Sequence, residues 1–118
     1  MYNALFIGWG TPVRGREQQA SKVFGEWVEL LGNYQSKGNI KSFTPVFLQP
    51  RGGDLAGFFF VTGDTAKLND FVNDQNVRRA TMRAELIVEN FGVIHALTGD
   101  EIGKQMQLFT TNAAELSK

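Results

Sequence analysis

The 118-residue chain has no cysteine and a single histidine, His95. Without cysteine there is no disulfide framework, no thiolate metal site and no cysteine nucleophile. One histidine excludes a multi-histidine zinc or iron site. With no nucleophile-elbow motif, it also excludes a Ser-His-Asp set. Net charge is missing too: twelve Lys and Arg balance twelve Asp and Glu. Such a chain has no bulk field to draw nucleic acid or an anionic membrane. No apolar run approaches the roughly 20 residues of a membrane span, and Met1 to Leu5 lacks the charged start of a signal peptide. These absences lead us to expect a complete, soluble, cytoplasmic protein with no metal or cofactor, and with neither a membrane nor a nucleic acid as partner.

What is abundant is apolar surface. The chain is 42% hydrophobic and carries ten phenylalanines. Its length fits one domain over residues 1–118, large enough to bury about two-thirds of its unfolded surface. "ALFIGW" (4–9) is apolar on both alternating faces and predicts a strand buried on two sides. Residues 16–34 place Ala20, Val23, Phe24, Trp27, Val28, Leu31 and Tyr34 on one stripe, the pattern of an amphipathic helix. "IKSFTPVFL" (40–48) predicts a more polar strand. Pro45 cannot donate to a ladder, so this strand belongs at an edge. "QPRGGD" (49–54) is turn chemistry, and "LAGFFFVT" (55–62) predicts a second two-sided apolar strand. Asp64 or Thr65 of "TGDT" can cap a helix carrying Leu68, Phe71 and Val72 inward. A further helical piece is expected to run to Ala84. "ELIVENFGVIHAL" (85–97) predicts the fourth strand, with a bulge at Gly92. "TGDE" (98–101) has capping-box spacing and opens a last helix, expected to turn Ile102, Met106 and Phe109 inward.

This order, βαββαβ plus a helix, is the ferredoxin-like arrangement of an α+β protein with an antiparallel sheet. Right-handed crossovers put both crossover helices on one face of the sheet, with strands one and three at its centre. The other face then exposes an apolar patch larger than soluble monomers usually carry. Either the last helix covers it or a second copy does, and a homodimer packed sheet to sheet is the expectation. The element order, the two-sided apolar strands and the "RAELIVENFGVIHAL" segment together resemble the dimeric α/β-barrel superfamily of small ferredoxin-like proteins. The resemblance runs to about Leu97. That superfamily includes cofactor-independent monooxygenases, chlorite-dismutase-like haem proteins, muconolactone isomerases and many uncharacterised proteins. It implies a homodimer with a pocket between sheet and helices in each subunit, and no particular reaction.

His95 is the candidate catalytic base, weighed against a hydrogen-bonded structural histidine at a sheet edge. Arg79 and Arg83 of "RRATMR" share a helix face and can hold a carboxylate or phosphate between them, or else pair with Glu85, Glu89 or Asp74 on a solvated face. Trp9 ends a central strand where a pocket would open. Arg79, Arg83, Trp27, Tyr2, Asn3, Glu85 and Glu89 are further candidates for its lining. "GWGTPVRGREQQA" (8–20) has P-loop-like glycines, but Arg16-Glu17 stand where Lys-Ser/Thr would hold phosphate and magnesium. It reads instead as the rim of a pocket. The leading functional expectation is a homodimeric protein of unassigned activity binding a small organic ligand. The alternatives are a cofactor-free oxygenase or isomerase acting on an aromatic or lactone, and a non-catalytic oligomerisation module.

Overall fold

The computed structural model describes residues 1–50 and 52–118. Its elements run β1 (Ala4–Trp9), α1 (Glu17–Ser36), β2 (Ser42–Phe47), β3 (Gly57–Thr62), α2 (Thr65–Asn73), α3 (Gln75–Glu85), β4 (Gly92–Ala96) and α4 (Asp100–Leu116). The four strands form one antiparallel sheet in the order β2-β3-β1-β4. The fold is therefore ferredoxin-like, with the two-sided apolar strands at the centre and the proline strand at the edge. The expected "QPRGGD" turn includes Arg51, which lies outside the described residues. Beyond it, the Leu48 amide donates to the Ala56 carbonyl at 2.9 Å and draws the β2–β3 connection together.

Strand alternation sorts the side chains into two unlike faces. Leu5, Ile7, Phe59 and Val61 face the helices and are buried. They meet Val23, Trp27 and Leu31 of α1, Leu68 and Phe71 of α2, and Val77 and Ala84 of α3. Trp27 satisfies its indole N–H on the Ala80 carbonyl at 3.2 Å, so burying it strands no donor. The opposite face carries Phe6, Phe58, Phe60, Val46 and Ile94, none of them part of that core. Phe6 and Phe58 stack there at 4.8 Å, and Ile94 is 57% exposed.

Three sequence expectations are corrected. Residues 85–97 do not form one strand. Glu85 ends α3, and only Gly92–Ala96 join the sheet. Between them, residues 87–89 run beside the loop after β1. The amides of Gly10 and Val13 donate to the carbonyls of Glu89 and Ile87 at 2.7 and 2.8 Å, and the Glu89 amide returns a bond to Thr11. Asn90 then turns the chain in the left-handed region at φ 56°. Apolar Ile87 and Val88 thus build a connection rather than a ladder.

The capping residues also act differently from expectation. Glu101 does not close a capping box: its carboxylate takes the chain's amino terminus and Lys104. Asp64 makes no side-chain cap but pairs with Lys41, while the Thr65 hydroxyl donates to the Tyr2 carbonyl at 2.7 Å. Finally, α4 does not turn its apolar residues inward. Ile102, Met106 and Phe109 are exposed, because the root of α4 is tied to the start of β1 and its axis leaves the sheet. The Asn3 side chain donates to the Thr98 carbonyl at 3.0 Å and accepts from the Thr98 amide at 2.9 Å. No described helix is long and apolar enough to cross a membrane.

Candidate functional site

Where β1 ends, the helices and the sheet part to leave a cavity of about 410 Å³. Its floor is Trp9 and Phe59, α1 supplies Ala20, Phe24 and Trp27, and Phe47 stands at the β2 side. Trp9 sits within 5.8 Å of Phe24 in an edge-on contact, and Phe24 stacks on Phe59 at 5.3 Å. Glycine makes this packing feasible. A Cβ on Gly57 would lie 2.7 Å from the Trp9 ring, and one on Gly10 would lie 2.7 and 2.8 Å from two backbone carbonyls. Both positions need a bare backbone for close approach. The lining is mainly hydrocarbon; Glu17 and Ser21 are its polar side chains.

The loop 10–16 is the rim of this cavity, through Gly10 and Pro12. It is stitched to residues 87–89 as described above, which brings Ile87 and Val88 into the opposite wall. The phosphate question is decided at the start of α1. The Gly15 amide already donates to the Glu17 carboxylate at 3.3 Å. A fixed negative charge on a would-be phosphate amide repels a bound anion.

A second, more polar cleft of about 370 Å³ lies between α1 and α3. Here Arg83 grips Glu26 with two bonds of 2.9 Å, and this guanidinium holds the Glu26 carboxyl below its usual range. Arg79 lines the same cleft. Asp74 caps α3, accepting from the amides of Asn76 at 2.8 Å and Val77 at 3.3 Å. The Tyr34 hydroxyl also donates to Asp74 at 2.6 Å, and this bond does most to hold the Asp74 carboxyl below its ordinary 3.8. Burial, seconded by the same bond, pushes the Tyr34 phenol up.

A depressed folded-state pKa adds stability above the unfolded value, and that stability is lost as pH falls through the folded one. Resistance of the wild type to thermal unfolding is thus expected to fall as pH drops below about 4. Asp74→Asn should flatten that acid limb, and Asp74→Ala should cost about 1 kcal/mol at neutral pH through the lost cap. An acid limb unchanged in Asp74→Asn would show that the carboxylate is not so coupled to folding.

The structure distributes the sequence candidates rather than gathering them. Trp9 and Trp27 line the apolar cavity, and Arg79 and Arg83 line the polar cleft. Glu85 is exposed at the end of α3. His95 pairs with Leu5 in the ladder, four positions from Trp9 along β1, a separation of about 14 Å. Its ring lies 5.7 Å from Tyr2, and its Nε2 is buried without a hydrogen-bond partner among the described residues. Sequence reasoning missed Phe47 and Val88 as lining. A hint lay in the glycines of the β1 loop, which allow the approach of residues 87–89, but that pairing spans some 75 positions of chain.

A scan against models of known protein families finds no match, and neither does a search of the curated proteins. Solved structures similar to this chain include two from bacteria. One is a dimeric protein of unknown function and ferredoxin-like fold from Bacteroides fragilis NCTC 9343, 8% identical, with a TM-score of 0.59 over 83% of this chain and 100% of that one. The other is a putative antibiotic biosynthesis monooxygenase from Chloroflexus aurantiacus J-10-fl, 13% identical, with a TM-score of 0.49 over 81% of this chain and 94% of that one. The likeness to the Bacteroides fragilis structure agrees with the ferredoxin-like fold described above.

Proposed function

We propose that this chain is a homodimeric binding protein for a small, flat, mostly apolar organic molecule, held in the cavity between α1 and the Trp9 end of the sheet. The observation that carries the reading is the cavity's volume of about 410 Å³ together with its aromatic lining. Its size falls in the range of small-molecule pockets. Its few polar side chains favour shape and stacking over charge as the basis of recognition. Glu17 and Ser21 can orient one polar substituent at the mouth. The homodimer reading is supported by the open apolar sheet face and by the dimeric state of the Bacteroides fragilis protein of the same fold.

The cofactor-free oxygenase or isomerase reading needs a proton acceptor facing the ligand. His95 is the sequence candidate, but on β4 it stands opposite Leu5, at the other end of β1 from Trp9, so the proposed binding involves no catalytic step. The oligomerisation module is the second reading, favoured by that same sheet face.

A thermal-shift screen of bicyclic and tricyclic aromatics, with short-chain sugars as controls, tests the proposal. Aromatics at 100 times their dissociation constant should add about 2.7 kcal/mol of stability. They should also change the fluorescence of Trp9 and Trp27, while the sugars do neither. A screen in which no aromatic shifts the transition at millimolar concentration counts against the binding reading and favours the module.

A further inference from the structure

After Thr98, α4 leaves the rest of the molecule. Every residue from Ile102 onward is exposed: Ile102 by 50%, Met106 by 60%, Phe109 by 69% and Leu116 by 87%. The molecule measures 56 × 37 × 22 Å, an elongated outline for a chain of this length. The helix is nonetheless fixed at its root, by the two Asn3–Thr98 bonds and the ion pair between the amino terminus and Glu101. It is a rigid projection with an uncovered apolar side.

The pattern of that side is specific. Ile102, Met106, Phe109, Ala113 and Leu116 follow one another at spacings of four, three, four and three. At about 100° per residue they occupy a strip about 80° wide. That strip is the narrow seam of a helix paired with another surface along its length, not the broad face of a helix lying in its own core. The positions flanking it are the uncharged Gly103, Gln105, Thr110, Asn112 and Ser117, together with Glu101, which is already paired with the amino terminus and Lys104; the exposed Leu108 lies outside the strip. Lys104, Glu115 and Lys118 fall on the far side, so no unpaired charge would be desolvated by covering the seam.

Area indicates what covers it. The open sheet face is four strands wide, a planar footprint of roughly 350 Å² at standard strand spacings. A stable interface takes about 800 Å² from each partner. The sheet face alone falls short. A 17-residue helix about 25 Å long and 10 Å wide adds roughly 250 Å² and brings the total to about 600 Å², the lower end of the roughly 600–1,000 Å² that each partner gives to a stable interface. Both uncovered apolar surfaces belong to one molecule, and a two-fold pair of copies buries both at once.

We propose that α4 is a dimerisation arm whose seam packs on a second copy of this chain, in one interface with the open sheet face. The proposal rests on the homodimer reading above and adds to it which element, besides the sheet, holds the pair together. The arm also explains why the amino terminus is tied to Glu101: fixing the root of α4 sets the angle at which the seam meets the partner.

Light scattering on the full-length protein, across a micromolar concentration series, tests it. Met106→Glu/Phe109→Glu changes only residues exposed in the single copy, so its circular dichroism should match wild type. Its dimer dissociation constant should rise at least about 100-fold. Thr111→Glu, on the far side of the helix, should leave the dimer intact. A double variant as dimeric as Thr111→Glu would overturn the arm while leaving the sheet interface standing. A wild-type chain that is monomeric throughout would overturn both. If neighbours other than a second copy occupied the seam, the purified double variant would again match Thr111→Glu, and the arm would fail.

Discussion

Phe59→Ala should lower the stability of the fold by about 3–5 kcal/mol, the cost of truncating a fully buried phenylalanine. Phe59 is 2% exposed and lies between Trp9, Phe24 and Trp27, with ring centroids 5.1, 5.3 and 6.3 Å away. Removing it sacrifices hydrocarbon burial and three aromatic contacts, and leaves a hole that cannot close against two rigid indoles. Small domains hold only about 5–15 kcal/mol in total, so the variant sits at the edge of folding. The adjacent Phe58 points the other way, onto the open face against Phe6. Phe58→Ala should cost the dilute protein about 1 kcal/mol. Chemical denaturation of both variants checks the contrast. Equal losses would mean that the two faces of β3 are not as unlike as described.

Ile94→Glu should dissociate the proposed dimer without unfolding the subunit. Ile94 is 57% exposed and sits in register with Phe6, on the edge strand β4 of the open face. A carboxylate there meets water in one copy, but in a sheet-to-sheet pair it would be desolvated among phenylalanines with no partner. An unpaired buried charge costs several kcal/mol, enough to raise the dissociation constant by about 100-fold or more. Light scattering gives the outcome. An undiminished dimer with a native circular dichroism spectrum would remove the sheet face from the interface, and α4 would then have to hold the pair elsewhere.

How far the sequence spoke depended on the range of the interactions involved. β1, β3 and α1 were legible because burial imposes a period on consecutive residues. Pro45 located β2 at an edge because a missing N–H is a local fact. The segment after Ala84 was not legible, because Ile87 and Val88 look like strand residues and their true partners are Val13 and Pro12, far away in the chain. The outward seam of α4 was visible as a stripe, but a stripe does not say whether the surface that covers it is in the same molecule. The bonds that decide it, Asn3 to Thr98 and the amino terminus to Glu101, join the two ends of the chain. The candidate site was legible in Trp9 and its glycine loop. It was not legible in Phe47 or in the distance to His95, since both depend on strand register rather than on spacing.

The claim that the Trp9 cavity is a ligand site is tested most directly by filling it. Ala20 is half-buried on α1 and lines the cavity. Ala20→Phe places a ring in the empty space without removing any core side chain. Tryptophan-fluorescence titration of the best aromatic from the screen should then show saturable binding to wild type, and binding weakened at least about tenfold in Ala20→Phe, with the two proteins unfolding at similar temperatures. Equal affinity for both would contradict the account and place the ligand elsewhere on the molecule.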